Sequence, residues 1–257
     1  MKILINIGDY SFHRCPRLKI SGKRGEPLNN AEITLPDPAG ELYQSMKEDD
    51  VAYLEYGYRS EAAGSWTGTV KDIKQVSRGQ ICVKAIGPER VLSETIINQA
   101  WKDDSPEAIV KYAINRTGLD LGTIEKPGPV FPHFVASSIP VWQVASQCKE
   151  TCEKGFGKDL TKWALWLGVD GVNWGDFDEP GSEPVFKTGA NIIEHLPGLY
   201  MNELNFLETF LLPGFSHSMV FSLKDTRRGI DGSFRAETVE HIILPDKART
   251  FIGYGNE

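Results

Sequence analysis

Along the first third of the chain, apolar and polar residues alternate with the two-residue period of half-buried strands. Lys2 to Gly8, Arg17 to Gly22, Ala31 to Leu35 and Val51 to Tyr58 each read as a strand. Pro36-Asp37-Pro38 stops the third, because proline removes a ladder donor and restricts its predecessor. Residues 37–49 are polar and are expected to form a long exposed loop. A Ser-Glu-Ala-Ala-Gly turn at 60–64 leads into a hairpin from Ser65 to Gly87, which reverses at Ser77-Arg78-Gly79-Gln80. This hairpin recurs near the C-terminus. Val70 and Val239, Thr69 and Thr238, and Ile73 and Ile242 all lie 169 positions apart. The same spacing sets Val51 on Val220, Leu54 on Leu223, and Gln80–Val83 on Arg249–Ile252. Ile33–Pro36 matches Phe210–Pro213 at a spacing of 177. A spacing held over three elements predicts two related β-modules.

Between them the period changes. Val91, Leu92, Thr95, Ile96 and Gln99 fall at helical spacing. Ser105-Pro106 is a helix start, with Ser at the N-cap and Pro at the first helical position. That helix should bury Ile109, Tyr112 and Ala113 and stop at Gly118. Lys126 to His133, with three prolines, reads as a linker. Val141, Val144, Ala145, Cys148 and Cys152 predict another helix, ending at Gly155. The sheet is expected to resume at Trp163–Leu167, with a hairpin turn at Asp170-Gly171. The division is therefore 1–87, a first tube-like module; 88–158, a helical or mixed insert; and 159–257, a second module. The fold class is β-rich α+β, with two related antiparallel β-barrel modules around a small helical insert.

Composition changes this picture little. Apolar content of 40% and charged content of 25% are those of an ordinary globular chain of 257 residues. A net charge of −7 argues against nucleic acid held on a basic face, though not against DNA passing by. No apolar run is long enough to span a membrane, and the N-terminus lacks a signal-peptide pattern. The protein is expected to be made in a cytoplasm. Cys15, Cys82, Cys148 and Cys152 show no CxxC spacing and read as free thiols. Cys148 and Cys152, one helical turn apart, lack the second pair a metal site would need.

No catalytic constellation stands out. His13, His133, His195, His217 and His241 are scattered, with no HExxH, and no phosphate-binding glycine loop occurs. Lys224–Arg228 reads as a solvated hairpin tip, and Ser216–Ser218 as a loop before the Val220 strand. The acidic loop 176–183, with Asp176, Asp178, Glu179 and Glu183, offers paired carboxylates beside Trp163, Trp166 and Trp174 as sugar platforms. That is the alternative reading, a carbohydrate-binding or glycoside-hydrolysing β-protein. A calcium site on Asp176 and Asp178 lacks the remaining ligand spacing.

Several segments carry a resemblance. They are ITLP at 33–36, DDVxYL at 49–54, SWTGTVxDI at 65–73 and ICVKAIGPERxL at 81–92. SPEAIVKYAINRTGL follows at 105–119, PVWQV at 140–144, ETFLLPG at 208–214 and GSFRAETVEHI at 232–242. Together they resemble the baseplate hub proteins of contractile phage tails, the late control D family. The resemblance implies a homotrimer in which two modules from each of three subunits make a pseudo-six-fold ring. Such a ring joins a six-fold tail tube protein to a three-fold central spike, here expected on a separate chain. DNA would only pass through the lumen. It implies no catalytic residues, no cofactor and no metal, and a place in the tail baseplate of a virion, a prophage or a related contractile injection system. Phe206, Phe210, Leu211 and Phe215 are the expected subunit contacts, with plain core as their competing role.

Overall fold

The computed structural model describes residues 1–26, 28–58, 63–198 and 203–255. Its strands and helices, in chain order, are β1 (Lys2–Ile7), β2 (Tyr10–Phe12), β3 (Arg17–Lys23), β4 (Asn30–Pro36), α1 (Glu41–Ser45), β5 (Val51–Gly57), β6 (Gly64–Ser77) and β7 (Gln80–Ile86). Then come α2 (Val91–Glu94), β8 (Ile96–Asp104), α3 (Pro106–Asn115), β9 (Leu121–Ile124), β10 (Phe131–Pro140), α4 (Val141–Phe156), β11 (Ala164–Gly168) and β12 (Gly171–Gly175). The chain closes with β13 (Val185–Lys187), β14 (Ile192–Leu196), β15 (Asn205–Phe210), β16 (Val220–Asp225), β17 (Ile230–Ile243) and β18 (Ala248–Tyr254). The chain divides into two units, residues 1–23, 28–88 and 180–257 in one and residues 24–27 and 89–179 in the other.

The first unit is built on one sheet of order β14-β15-β18-β17-β3-β4-β7-β6-β5-β1-β2, with β13 and β16 branching off β17. The repeat is visible as topology. β4 pairs β7, β7 pairs β6 and β6 pairs β5; in the same way β15 pairs β18, β18 pairs β17 and β17 pairs β16. Each copy buries its own apolar face. Ile5, Ile33, Leu54 and Val83 lie in the first core, and Phe186, Phe221, Leu223 and Ile252 in the second. The pattern in β4, with Ala31, Ile33 and Leu35 buried and their neighbours half-exposed, is the alternation read from the sequence.

Three expectations are corrected here. The two modules are not closed barrels among the described residues. The edge of β3 that would close the first module is instead hydrogen-bonded to β17, which fuses the modules into one open sheet. The polar stretch 37–49 is not all loop, since Asp37 accepts hydrogen bonds from the backbone of Leu42 and Tyr43 and fixes the short helix α1. The spacing of the repeat also shifts along the chain. Val220 lies 169 positions after Val51, but Ile230 lies 166 after Gly64. The two central strands are both 14 residues long, and each has a bulge at the equivalent residue, Lys71 and Glu237. Cross-strand pairing also aligns Glu32 with Phe206 rather than at the spacing of 177, because both lie one strand from equivalent residues, Lys84 and Gly253. The expected turn at 60–64 lies mostly outside the described residues.

The second unit packs α3 and α4 against an antiparallel pair, β8 with β10, and a three-stranded sheet in the order β11-β12-β9. The helix expected from Val91 to Gln99 ends after one turn, because Thr95 is extended and Ile96–Asp104 finds a partner in β10. That same pairing makes Phe131–Pro140 a strand, so the linker expected over Lys126–His133 is cut short at Val130. Ser105 precedes α3 as read, and Ile109, Val110, Ala113 and Ile114 are buried, but Tyr112 is exposed and meets Trp101 edge-on. In α4 the buried positions are the five expected, and Gly157, at φ 62°, ends it two residues late. The hairpin at Asp170-Gly171 forms, but it joins β9 in this unit instead of reopening the large sheet. Among the described residues no helix is long and apolar enough to cross a membrane.

Candidate assembly surfaces

The two modules meet along β17 and β3, paired antiparallel from Thr238 opposite Lys23 to Ile243 opposite Leu18. Side chains reinforce the seam on both faces. On the buried face, the ring of Tyr56 lies 5.4 Å from that of His241. The His241 Nε2–H donates to the carbonyl of Phe215 at 2.9 Å, and its Nδ1 accepts from the Thr250 hydroxyl at 2.9 Å. Thr250 Oγ1 in turn accepts from the backbone of Leu212. Full burial lowers the His241 pKa to about 4, with the carbonyl of Phe215 opposing the fall. Close backbone approach completes the seam. A side chain on Gly64 would stand 2.5 Å from the amide nitrogen of Gly214.

The outward face of the sheet is polar, and its charges are paired across strands. One cross-strand row runs Phe210, Arg249, Ile242, Lys19, Glu32, Lys84, Asp72. Lys19 reaches Glu240 at 2.5 Å across the module seam, Lys84 reaches Glu32 at 3.2 Å, and Arg249 reaches Glu208 at 3.3 Å. Lys74 neutralises Asp72 at 2.6 Å and holds that carboxyl below its usual range.

The four residues expected at subunit contacts separate into two pairs. Phe206 and Phe210, on the outward face of β15, are 49% and 47% exposed, whereas Leu211 and Phe215 are 2% and 5% exposed and sit in the cores of the modules. Leu211 continues the alternation of β15, in which Leu207 and Thr209 are buried while Phe206 and Phe210 face outward. A buried polar cluster also went unread. Asp225, at the supposedly solvated tip Lys224–Arg228, accepts from His195 Nδ1 at 2.7 Å, from the Thr188 hydroxyl at 2.7 Å and from the Arg227 backbone at 3.0 Å. The His195 ring hydrogen-bonds the Tyr254 hydroxyl from its other nitrogen. These bonds hold the Asp225 pKa down at about 2, with His195 the largest cause. An aspartate two residues before a pair of arginines gives no sign of burial in the sequence.

The alternative sugar site is not assembled. Trp166 and Trp174 are 2% and 1% exposed, so neither offers a flat face to a sugar ring. Trp174 instead packs edge-on against Trp163. Glu179 is a buried tether: it accepts from Trp166 Nε1 at 2.8 Å and from the Val169 backbone at 2.7 Å, and the Arg24 guanidinium lies 4.0 Å over the Trp166 ring. Glu183 accepts from the hydroxyls of Ser222 and Ser233. Among the described residues no group of three or more His, Cys, Asp or Glu could hold a metal, and neither Asp176–Asp178 nor Cys148–Cys152 is part of one.

This arrangement of sheets is the fold of phage-tail proteins. Over 98% of this chain and 96% of the other, it superposes on a 43 kDa tail protein of prophage MuSo2 from Shewanella oneidensis, with TM-score 0.73 and 8% identity. A tail protein from Neisseria meningitidis MC58 matches over 100% and 96% of the two chains, with TM-score 0.68 and 10% identity. An E. coli type VI secretion component, described as structurally similar to the T4 tail proteins gp27 and gp5, matches over 98% and 76%, with TM-score 0.64 and 10% identity. No family model and no curated protein matches the sequence.

Proposed function

We propose that this chain is a structural protein of a phage or prophage tail, or of a related contractile injection system. In this reading it is a baseplate hub that assembles as a homotrimeric ring between the tail tube and a central spike carried on another chain. The observation that carries it is the internal repeat: two modules of one topology joined by strand pairing into a single sheet. Three such chains present six similar modules, which suits docking onto a six-fold tube, while the chain itself remains three-fold for a spike. The shared fold with tail proteins supports the structural role, and the resemblance in sequence supports the hub. Phe206 and Phe210 remain the candidates for subunit contact; Leu211 packs into the core of the first module and Phe215 into that of the second. The ion pairs of the outward face favour the same reading, because a cation already matched by a neighbouring carboxylate releases little on meeting a phosphate. Such a wall lets DNA pass without gripping it. The test is the mass of the purified protein by light scattering, with electron microscopy of the same sample. A ring of three times 28.6 kDa is expected, and a strict monomer at high concentration overturns the assembly.

A further inference from the structure

The hairpin tip between β11 and β12 is built more firmly than an exposed turn requires. Its two loop residues, Val169 and Asp170, stand between Gly168 and Gly171. The Val169 amide donates to the buried Glu179 carboxylate at 2.7 Å. A side chain on Gly168 would stand 2.4 Å from Glu179 Oε2 and from Asn173 Nδ2. One on Gly171, at φ 123°, would stand 2.5 Å from the Asp120 carbonyl oxygen. That oxygen accepts from the Val172 amide at 2.8 Å, and Leu121 pairs with Val172, so Asp120 and Leu121 lie at the same end of this sheet. Yet the fixed backbone leaves Val169 80% exposed, more than any other large apolar side chain among the described residues. Leu121 is exposed as well. Asp120 and Asp170 precede and follow these two apolar residues, exposed and with no side-chain partner among the described residues.

A surface of matching character lies on the first unit. Ile193 and Leu196 of β14 are exposed, as are Phe206 and Phe210 on the neighbouring β15. Beside them is a cleft of about 510 Å³ whose walls include Thr188, Ile193, Leu196, Arg227 and Arg228. Its floor is held as tightly as the tip. Asp225 gathers the His195 ring, the Thr188 hydroxyl and the Arg227 amide, and Arg228 donates to the His195 carbonyl at 2.7 Å. Three donors thus occupy the buried carboxylate of Asp225. Glu194, the exposed carboxylate of the cleft, pairs across the strands with Glu208, whose charge Arg249 meets at 3.3 Å. The guanidinium of Arg227 has no partner among the described residues.

We propose that these two surfaces meet between copies of this chain: the Val169–Asp170 tip of one copy enters the Arg227–Arg228 cleft of the next. This rests on the ring reading and supplies its contact. Val169 and Leu121 cover Ile193 and Leu196, and Asp120 and Asp170 face Arg227 and the outer N–H groups of Arg228. Charge complementarity selects a second copy as the occupant. The ions of the outward sheet face are matched across strands within the chain, whereas these carboxylates and this guanidinium are matched only between chains. Neighbouring exposed apolar side chains rimmed by charge mark a contact surface. Both backbones are fixed before they meet, so little ordering opposes the contact. Tip and cleft are different surfaces, so the contact is head-to-tail and either closes into a ring or propagates.

The test is a cross-link in a Cys82→Ser background, since Cys15, Cys148 and Cys152 are buried. Val169→Cys and Ile193→Cys chains are made separately, mixed and treated with a short bismaleimide, so that a 169–193 link forms only between molecules. The expected result is a covalent dimer holding one of each chain, with little product from either chain alone. Charge reversal gives a second readout. Asp170→Arg and Arg227→Glu, both at exposed positions, are each expected to weaken self-association about tenfold or more. A chain carrying both substitutions should recover it, which a folding defect could not do. A particle of trimer mass that lacks the 169–193 link and is indifferent to both reversals overturns this contact and leaves the ring standing. No association and no cross-link at the highest soluble concentration overturns both. Linked assemblies longer than three copies keep the contact and overturn the closed ring.

Discussion

Tyr56 and His241 belong to different modules, yet their rings lie 5.4 Å apart in the buried side of the sheet. The contact depends on a neutral imidazole. His241 gives its one proton to the Phe215 carbonyl, and its bare nitrogen receives the Thr250 hydroxyl, which is itself oriented by the Leu212 amide. A second proton on the ring would set donor against donor at Thr250 and place a charge where no water reaches.

The seam should accordingly weaken in mild acid. In the unfolded chain the imidazole takes its proton near pH 6.5, while in the folded chain it does so only near 4. Between those values the unfolded state binds more protons, so stability is complete above about 6.5 and declines as pH falls towards 4. The span corresponds to roughly 3 kcal/mol. Urea unfolding at pH 7.5, 6 and 4.5 should show this slope, and His241→Gln should flatten it. An equal slope in the variant would assign the acid sensitivity elsewhere.

Gly64 tests the same seam by volume. A methyl group there would stand 2.5 Å from Gly214 N and 3.1 Å from the Pro213 carbonyl carbon, both backbone atoms. Replacing glycine by alanine in a strand ordinarily gains about 0.5 kcal/mol through the unfolded chain. Here the overlap should reverse the sign, with Gly64→Ala losing about 1–3 kcal/mol in chemical denaturation. A neutral or stabilising result would mean that residues 213–214 yield without cost.

The strands of the first unit were legible because alternation carries through to burial, as Ala31, Ile33 and Leu35 show. The repeat was legible too, but not its central register. Val, Thr and Ile recur every two or three positions in these strands, so Val70 could be matched to Val239 when the pairing aligns it with Ala236. The loop before the central strand is three residues shorter in the second copy, and a longer turn afterwards restores the spacing. Long-range partners left no local trace. Nothing around Ile20 announces His241, and nothing in Ile96–Asp104 announces β10, without which its apolar residues fit a helix as well as a strand. Asp225 and Glu179 illustrate the same limit at the level of sites: one read as part of a solvated tip and the other as a candidate site carboxylate, and both are buried acceptors.

Glu179 offers a direct comparison between tether and catalyst. As a tether it accepts from the Trp166 indole and the Val169 amide, so Glu179→Gln turns an amide donor towards one of two fixed N–H groups. The expected loss is about 2–3 kcal/mol, with a shift in tryptophan fluorescence on the unfolding curve. A catalytic carboxylate would behave in the opposite way, since its amide variant would keep or gain stability and lose only turnover.

Thiol reactivity should divide the four cysteines. Burial raises the Cys15 and Cys152 thiols to about 11, and pushes Cys148 up as well. Cys82, on the outward face opposite Lys74, is half-buried. A thiol reagent at neutral pH should label Cys82 first in the native protein and reach the other three only on unfolding. Prompt labelling of Cys148 or Cys152 would show that α4 opens readily.

Asp225 links stability to the ordering of β14, through its bond to His195. Its carboxylate gathers the His195 ring, the Thr188 hydroxyl and the Arg227 amide, so it fixes β14, β13 and the β16–β17 turn at one point. Asp225→Ala would leave those donors buried without an acceptor, an expected loss of about 3 kcal/mol. Asp225→Asn, which keeps one acceptor oxygen, should lose less. In both, amide hydrogen exchange across 192–196 should rise before that of β17. If the module loosened as a whole, with 192–196 no faster than 238–243, Asp225 would be a general core residue. Faster exchange at β14 alone would show that the carboxylate acts as a local pin for this strand.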